Sequence, residues 1–203
     1  KILFNGEIFN HKELKKDLIA KGAKFYSQKS DTEVLLNGLS LDGISFIDKV
    51  IGQFSIAYLD MTNKKLHLIR DRLGQKPMFY FSSKHQFIFG SNLKSVSSLV
   101  SNLEISNDAL IEYISNGVVS APNTIFSNFY KLLPGEHLTI NLNHNLNLYE
   151  KERYWKLENH VDNKPFSKEI FFELLDNSVK QRLESDVGLA TLLSGGIDST
   201  SIS

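Results

Sequence analysis

The 203 residues include 41% hydrophobic side chains, with 14 Phe and 7 Tyr, enough for a packed core and too many for a disordered chain. Lys plus Arg and Asp plus Glu balance at 23 each, without a block of either sign, which speaks against a nucleic-acid-binding or membrane-surface protein. The absence of cysteine excludes disulfides and thiolate metal sites.

No apolar run approaches the ~20 residues of a membrane span, and no signal peptide opens the chain. The expectation is a soluble, cytoplasmic protein. Residue 1 is Lys, and the only methionines are Met61 and Met78. With a strand-like run at the start and a helix signal at the end, the sequence reads as an internal piece of a longer protein.

In chain order, Ile2-Leu3-Phe4 reads as a strand broken by the turn dipeptide Asn5-Gly6. A helix with Leu14, Leu18 and Ile19 on one face follows, capped by Asn10 and stopped by Gly22. Phe25-Tyr26 reads as a short strand. Ser30 or Asp31 caps a second helix that carries Val34, Leu35, Leu36 and Leu39. Residues 43–50 form a turn or short helix. Four runs, 54–59, 66–69, 78–81 and 87–89, predict an antiparallel meander, since turn residues bound each of them. Helices follow at 92–99 and from a Ser106 cap to Gly117, and 118–128 reads as loop. Runs 136–140 and 148–155 predict a hairpin across an Asn-rich turn. A polar stretch reads as a linker, and a helix over 167–183 carries Ile170, Phe171, Leu174, Val179 and Leu183 along one stripe. The apolar run Leu189, Leu192, Leu193 reads as a buried parallel strand.

That last run enters Ser194-Gly195-Gly196-Ile197-Asp198-Ser199-Thr200. A strand, a glycine-rich turn and a helix N-terminus make an anion site, where backbone N–H groups approach an oxygen-rich ligand and the helix dipole favours its charge. The pattern is neither a P-loop nor a Gly-x-Gly-x-x-Gly fingerprint. Upstream, Asn5, Gly6 and Glu7 could serve acyl transfer. Asn5 and the Gly6 N–H would face a developing oxyanion, and Glu7 a substrate ammonium. Taken alone they are a strand-to-helix turn with a carboxylate that the helix dipole welcomes. Asp31, taken alone, is an N-cap. The cluster Arg70-Asp71-Arg72-Leu73-Gly74-Gln75-Lys76-Pro77 reads as a structural turn that supports a site or a domain contact.

Together these stretches resemble the asparagine synthase (glutamine-hydrolysing) family. The matching segments are Phe-Asn-Gly-Glu-Ile-Phe-Asn (4–10), Ser-Asp-Thr-Glu-Val-Leu-Leu (30–36) and Arg-Asp-Arg-Leu-Gly-Gln-Lys-Pro-Met-Phe-Tyr (70–80). Leu-Leu-Pro-Gly-Glu-His-Leu (132–138), Tyr154-Trp155 and Leu-Ser-Gly-Gly-Ile-Asp-Ser (193–199) complete the series. The resemblance implies a class II glutamine amidotransferase domain of the αββα N-terminal-nucleophile type over 1–158, truncated at its start. A linker over 159–166 and the beginning of a doubly wound, ATP-binding α/β domain over 167–203 follow.

It further implies that Asn5 and Gly6 form the oxyanion hole, and that Glu7 and Asp31 hold the α-amino group of L-glutamine. Leu193 would contact the nucleotide of ATP through its backbone, and Ser194, Gly195, Gly196, Asp198 and Ser199 would bind the ATP pyrophosphate, with Asp198 near Mg²⁺. The reaction implied takes L-aspartate, glutamine and ATP to asparagine, glutamate, AMP and diphosphate; a homodimer is an assembly it permits. The nucleophilic cysteine and the arginine that grips the glutamine carboxylate fall upstream of Lys1. Where the family often reads Asp-Val-Pro-Val-Gly, this sequence has Asp186-Val187-Gly188-Leu189-Ala190. Two alternatives stay open: the same architecture acting on another carboxylate, and a non-catalytic amidotransferase-like module. As a separate piece the chain is expected to be inactive and to fold poorly, with sheet edges uncovered.

Overall fold

The computed structural model describes residues 1–161, 165–183, 185 and 187–203. Positions 162–164 of the expected linker, and Asp186, lie outside the described residues. The chain divides into two compact units, Lys1–Asn159 and His160–Ser203.

The first unit holds eight strands in two antiparallel sheets among its described residues. Strands β1 (Ile2–Ile8), β2 (Gly52–Asp60), β3 (Lys65–Arg70), β7 (Glu136–Asn141) and β8 (Tyr149–Arg153) form one sheet in the order β1-β2-β3-β7-β8. Strands β4 (Phe79–Ser82), β5 (Phe87–Gly90) and β6 (Phe129–Lys131) form the other, in the order β5-β4-β6. Helices α1 (His11–Ala20) and α2 (Asp31–Asp42), and a 3₁₀ turn at Gly43–Lys49, lie on the larger sheet. Helix α3 (Leu93–Ser97) packs on the smaller sheet, and α4 (Asn107–Asn116) follows it.

Side chains alternate across a strand, so the layering can be read residue by residue. Phe54, Ile56 and Tyr58 of β2 and Ile69 of β3 meet Leu14, Leu18, Val34, Leu35 and Leu39 of the helices. On the opposite face, Ala57, Leu68, Leu138 and Ile140 meet Tyr80, Phe87, Phe89 and Tyr130 of the second sheet. Phe79, Phe81, Ile88 and Phe129 turn away from those and pack on Leu93 and Val96 of α3. Three cores separate four layers, helix–sheet–sheet–helix, which is the αββα architecture expected.

Several elements differ from expectation. Asn5-Gly6 is no turn: β1 runs through it to Ile8, with Asn5 opposite Ser55 and Gly6 opposite Phe54. Continuous pairing on β2 outweighs the local turn preference. Phe25-Tyr26 forms no strand; Tyr26 stands in solvent, and Glu33 accepts from the N–H groups of Tyr26 (2.8 Å) and Ser27 (2.8 Å). The expected meander is split between the two sheets after β3. Directly after the expected loop, an unpredicted short strand, β6, forms one side of the smaller sheet. Asn10 does not cap α1; its amide bridges Lys49 O (2.9 Å) and Ile51 N (2.9 Å), tying the helix start to the approach of β2.

The turn between the sheets is built on two charged residues that bind backbone. The fully buried Asp71 carboxylate accepts from Phe54 N (3.2 Å), Leu73 N (3.1 Å), Gln75 N (2.9 Å) and Lys76 N (2.9 Å). The Arg70 guanidinium donates to Lys76 O (2.8 Å), Gly74 O (2.7 Å) and Leu132 O (2.5 Å). Tyr154 donates to Arg70 O (2.8 Å), and a Cβ on Gly135 would lie 2.6 Å from Trp155 O. The motifs at 70–80, 132–138 and 154–155 therefore form one structural knot.

On the helix side of the larger sheet, His67 Nδ1 lies 3.0 Å from His137 Nε2, and Thr139 Oγ1 lies within 3.1 Å of both nitrogens. Burial pushes both imidazoles down, His137 to about 4 with the neighbouring His67 adding to the effect.

In the second unit, α5 (Lys168–Lys180) is capped by Ser167, whose Oγ accepts from Ile170 N (3.3 Å). Its apolar stripe, Ile170, Phe171 and Leu174, is exposed. Leu189, Leu192 and Leu193 form no strand and are exposed, Leu192 at 96%. A parallel strand needs a hydrogen-bonding neighbour, and the described residues of this unit supply none. A short helix, α6 (Ile197–Ile202), ends the chain.

Candidate active site

The N–H groups of a strand point alternately to its two sides. On β1 the odd-numbered side faces β2, as Phe9 N donating to Ile51 O (2.8 Å) and Lys1 O accepting from Leu59 N (2.8 Å) fix. The N–H groups of Gly6 and Ile8 therefore point away from β2, off the edge of the described sheet. At that edge Ile8 N–H meets Asp31 Oδ2 at 3.2 Å. Asp31 is available because Ser30 is the cap of α2, its Oγ accepting from Glu33 N (3.2 Å). The simple capping reading of Asp31 is thereby corrected.

Glycine at position 6 is required by a close approach. A Cβ there would lie 2.0 Å from Gln53 O and 2.7 Å from Phe54 Cα. Phe54 is the residue whose N–H is held by Asp71, so the knot at the sheet crossing also fixes the strand against which Gly6 rests.

Asn5 and Glu7 project from the opposite face of β1 to Phe4 and Ile8. Glu7 is exposed. The Asn5 amide points towards the second sheet, where Nδ2 donates to Ser91 Oγ (3.0 Å); Ser55 Oγ lies 3.5 Å from the same hydroxyl. These groups line a recess of about 180 Å³ together with Met78 and Phe89. Sequence reasoning missed Ser91 and Ser55, because nothing local marks the corner after β5 as a neighbour of β1. Asn5, Gly6 and Glu7 thus lie in succession along β1, Asp31 reaches the last residue of that strand, Ile8, and the Ser91 and Ser55 hydroxyls stand beside Asn5.

The glycine-rich loop belongs to the second unit. Gly195 has φ +79, Gly196 precedes α6, and no side chain caps the first turn. Ser194 Oγ lies 3.0 Å from Ser199 Oγ, and Asp198 is exposed in the first turn of the helix. Open first-turn N–H groups beside two hydroxyls suit a phosphate. Among the described residues no group of three or more His, Asp or Glu could hold a metal ion by itself.

The family model described as "Glutamine amidotransferase domain" matches residues 1–155. This chain belongs to that family. The model described as "Asparagine synthase" matches residues 171–203, beyond the amidotransferase domain. Asparagine synthetase [glutamine-hydrolyzing] 2 of Bacillus subtilis is 34% identical over 99% of this chain and 28% of its own length. A putative asparagine synthetase [glutamine-hydrolyzing] 2 of Methanocaldococcus jannaschii is 32% identical, over 99% of this chain and 39% of its own. Amidase chry2 of Gibberella zeae is 31% identical, over 98% and 29%. The chain thus spans between 28% and 39% of the length of these relatives. Among solved structures, the glutamine phosphoribosylpyrophosphate amidotransferase of B. subtilis aligns with a TM-score of 0.49 at 20% identity, covering 76% of this chain and 29% of that one. No helix among the described residues is long and apolar enough to cross a membrane.

Proposed function

We propose that this chain is the greater part of the glutamine-hydrolysing domain, and the start of the ATP-binding domain, of a glutamine-dependent asparagine synthase. The observation that carries the reading is the edge of β1, where the outward Gly6 N–H lies two residues, roughly 7 Å, from the Asp31-bound Ile8 N–H. That spacing is of the order of glutamine's own length from amide to α-amino group. Gly6 N–H and one N–H of Asn5 would stabilise the oxyanion formed when the glutamine amide is attacked. Glu7 and Asp31 would bind the α-ammonium. The attacking thiol is not in this chain, which contains no cysteine, so the 203 residues alone are expected to be inactive.

Ammonia released there would meet a carboxyl-adenylate in the synthetase domain. Leu193, Ser194, Gly195, Gly196, Asp198 and Ser199 would contribute the pyrophosphate loop. Asp198 is a lone carboxylate, suited to Mg²⁺ held mainly by nucleotide phosphates. L-Aspartate is the acceptor favoured by the names of the synthetase relatives. The similarity to a chain called an amidase favours, as the second reading, another carboxylate on the same architecture.

The test uses the full-length protein containing this chain, assayed for AMP and diphosphate release with ATP, Mg²⁺ and glutamine, with and without aspartate. Aspartate-dependent AMP release with asparagine formed is expected. Glutamine hydrolysis without aspartate-dependent AMP selects another acceptor. No hydrolysis of glutamine by the full-length protein overturns the reading.

A further inference from the structure

Asn5 is exposed on the outermost strand of the described sheet, and an exposed amide turns freely between rotamers. A catalytic hydrogen-bond donor has to be held in place before the charge develops, because reorienting it during the reaction cancels its benefit. The group that holds this amide comes from a different sheet. Ser91 follows Gly90, which is paired with Phe79 at the end of β5. On its other side Asn92 caps α3, its Oδ1 accepting from Lys94 N (2.8 Å). The backbone that carries Ser91 is thus held on both sides.

We propose that Ser91 is a positioning residue for glutamine hydrolysis: its hydroxyl engages one N–H of the Asn5 amide and leaves the other for the oxyanion. The inference rests on the amidotransferase reading above. A hydroxyl has one proton and two acceptor lone pairs. Ser91 Oγ accepts from Asn5 Nδ2 at 3.0 Å, and Ser55 Oγ lies 3.5 Å from the same hydroxyl, where either oxygen can donate to the other. Ser55 is buried in β2 directly opposite Asn5. The strand that carries the amide and the hydroxyls that orient it are therefore joined across the two sheets. Engaging the nitrogen end selects one of the two ways the amide could face. It directs Oδ1 away from the hydroxyl pair, and this is what a donor to an anion needs.

The experiment compares Ser91→Ala, Ser91→Cys and Ser91→Thr with the unvaried full-length protein. Glutamine hydrolysis and amide formation from added ammonia are measured separately. Removing an oxyanion donor outright costs on the order of 10²–10³ in kcat, and a donor left unfixed should cost less. Ser91→Ala is expected to lower glutaminase kcat roughly 10- to 100-fold with KM for glutamine within about twofold. Ser91→Thr, which keeps the hydroxyl, is expected to restore kcat, and Ser91→Cys to fall between. Turnover on ammonia should not change in any of them. A merely structural role would lower both reactions together, and that outcome overturns the proposal. So does a Ser91→Ala protein with unchanged kcat, or one in which Ser91→Thr is as poor as Ser91→Ala. Activity in the unvaried protein with any of these results refutes the role of Ser91 alone. Absence of glutaminase activity in the unvaried protein refutes the reading beneath it as well.

Discussion

The His67–His137 contact makes the first unit sensitive to mild acid. The facing nitrogens are 3.0 Å apart, and they can share one proton between them without repulsion but cannot each carry one. A folded-state pKa of about 4 for His137 lies below the ordinary 6.5 of an unfolded chain. Between those two values the unfolded chain binds the extra proton and the folded one does not. Stability is therefore complete above pH 6.5 and is lost as pH falls towards 4. At about 1.4 kcal/mol per pH unit the full difference would be about 3 kcal/mol. His137 also lines an open recess of about 320 Å³ with Asp48, Glu152 and Tyr154. Water there screens the new charge, and the expected loss is about 1–2 kcal/mol. Urea unfolding followed by the fluorescence of Trp155, the single tryptophan, at pH 7.5 and pH 4.5 measures it. His137→Gln cannot titrate, so its stability should fall less over the same interval, by that 1–2 kcal/mol. Parallel pH dependences for the two proteins would refute the reasoning, since the carboxylates common to both cancel.

Three further outcomes follow from the packing. Gly6→Ala should destabilise the first unit by about 2–4 kcal/mol, because a Cβ 2.0 Å from Gln53 O forces β1 off β2; a melting temperature equal to the parent's would count against the register. Asp71→Asn replaces one acceptor oxygen by a donor facing backbone N–H groups in a fully buried site. It should cost about 3–5 kcal/mol in denaturant unfolding, and a cost under about 1 kcal/mol would deny Asp71 its place in the knot. Ser30→Ala removes the cap of α2 and should cost about 1 kcal/mol, a melting shift of a few degrees; if Asp31 were the true cap, the change would be near zero.

The sequence was most legible where one chemical cause acts locally. Ser106 and Gly117 bound α4 as read, with Ser106 Oγ accepting from Ala109 N (3.3 Å) and Gly117 in the left-handed region. The aromatic run at 78–81, bounded by turn residues, marked β4 (Phe79–Ser82), and the four-layer architecture followed from the family resemblance. Legibility failed where a distant partner decides. Asn5-Gly6 is a turn by local preference and a strand only because residues 53–55 are there to pair with it. No pattern in 54–89 tells that Asp71 ends one sheet and that the next strand belongs to another. Between Ser30 and Asp31 the choice of cap depends on Ile8 N–H, which draws the aspartate away. Leu189 to Leu193 has the composition of a buried strand, but composition alone does not provide a neighbour. Ser91 carried no signal at all, since its meaning comes from Asn5, far back in the chain.

The crossing at Arg70 and Asp71 has a consequence for the order in which the chain can fold during synthesis. β3 ends at Arg70, and its partner β7 begins only at Glu136, after the whole smaller sheet has been made. A ribosome-bound chain that has emerged only as far as β6 holds β3 with one edge unpaired and Arg70 without the Leu132 carbonyl that it binds. Pairings between distant segments pay loop closure before they return contacts, and unpaired edges at that stage invite association with other chains. The β3–β7 pairing is thus made late, and the vulnerable interval is the translation of the 65 residues from Asp71 to Gly135.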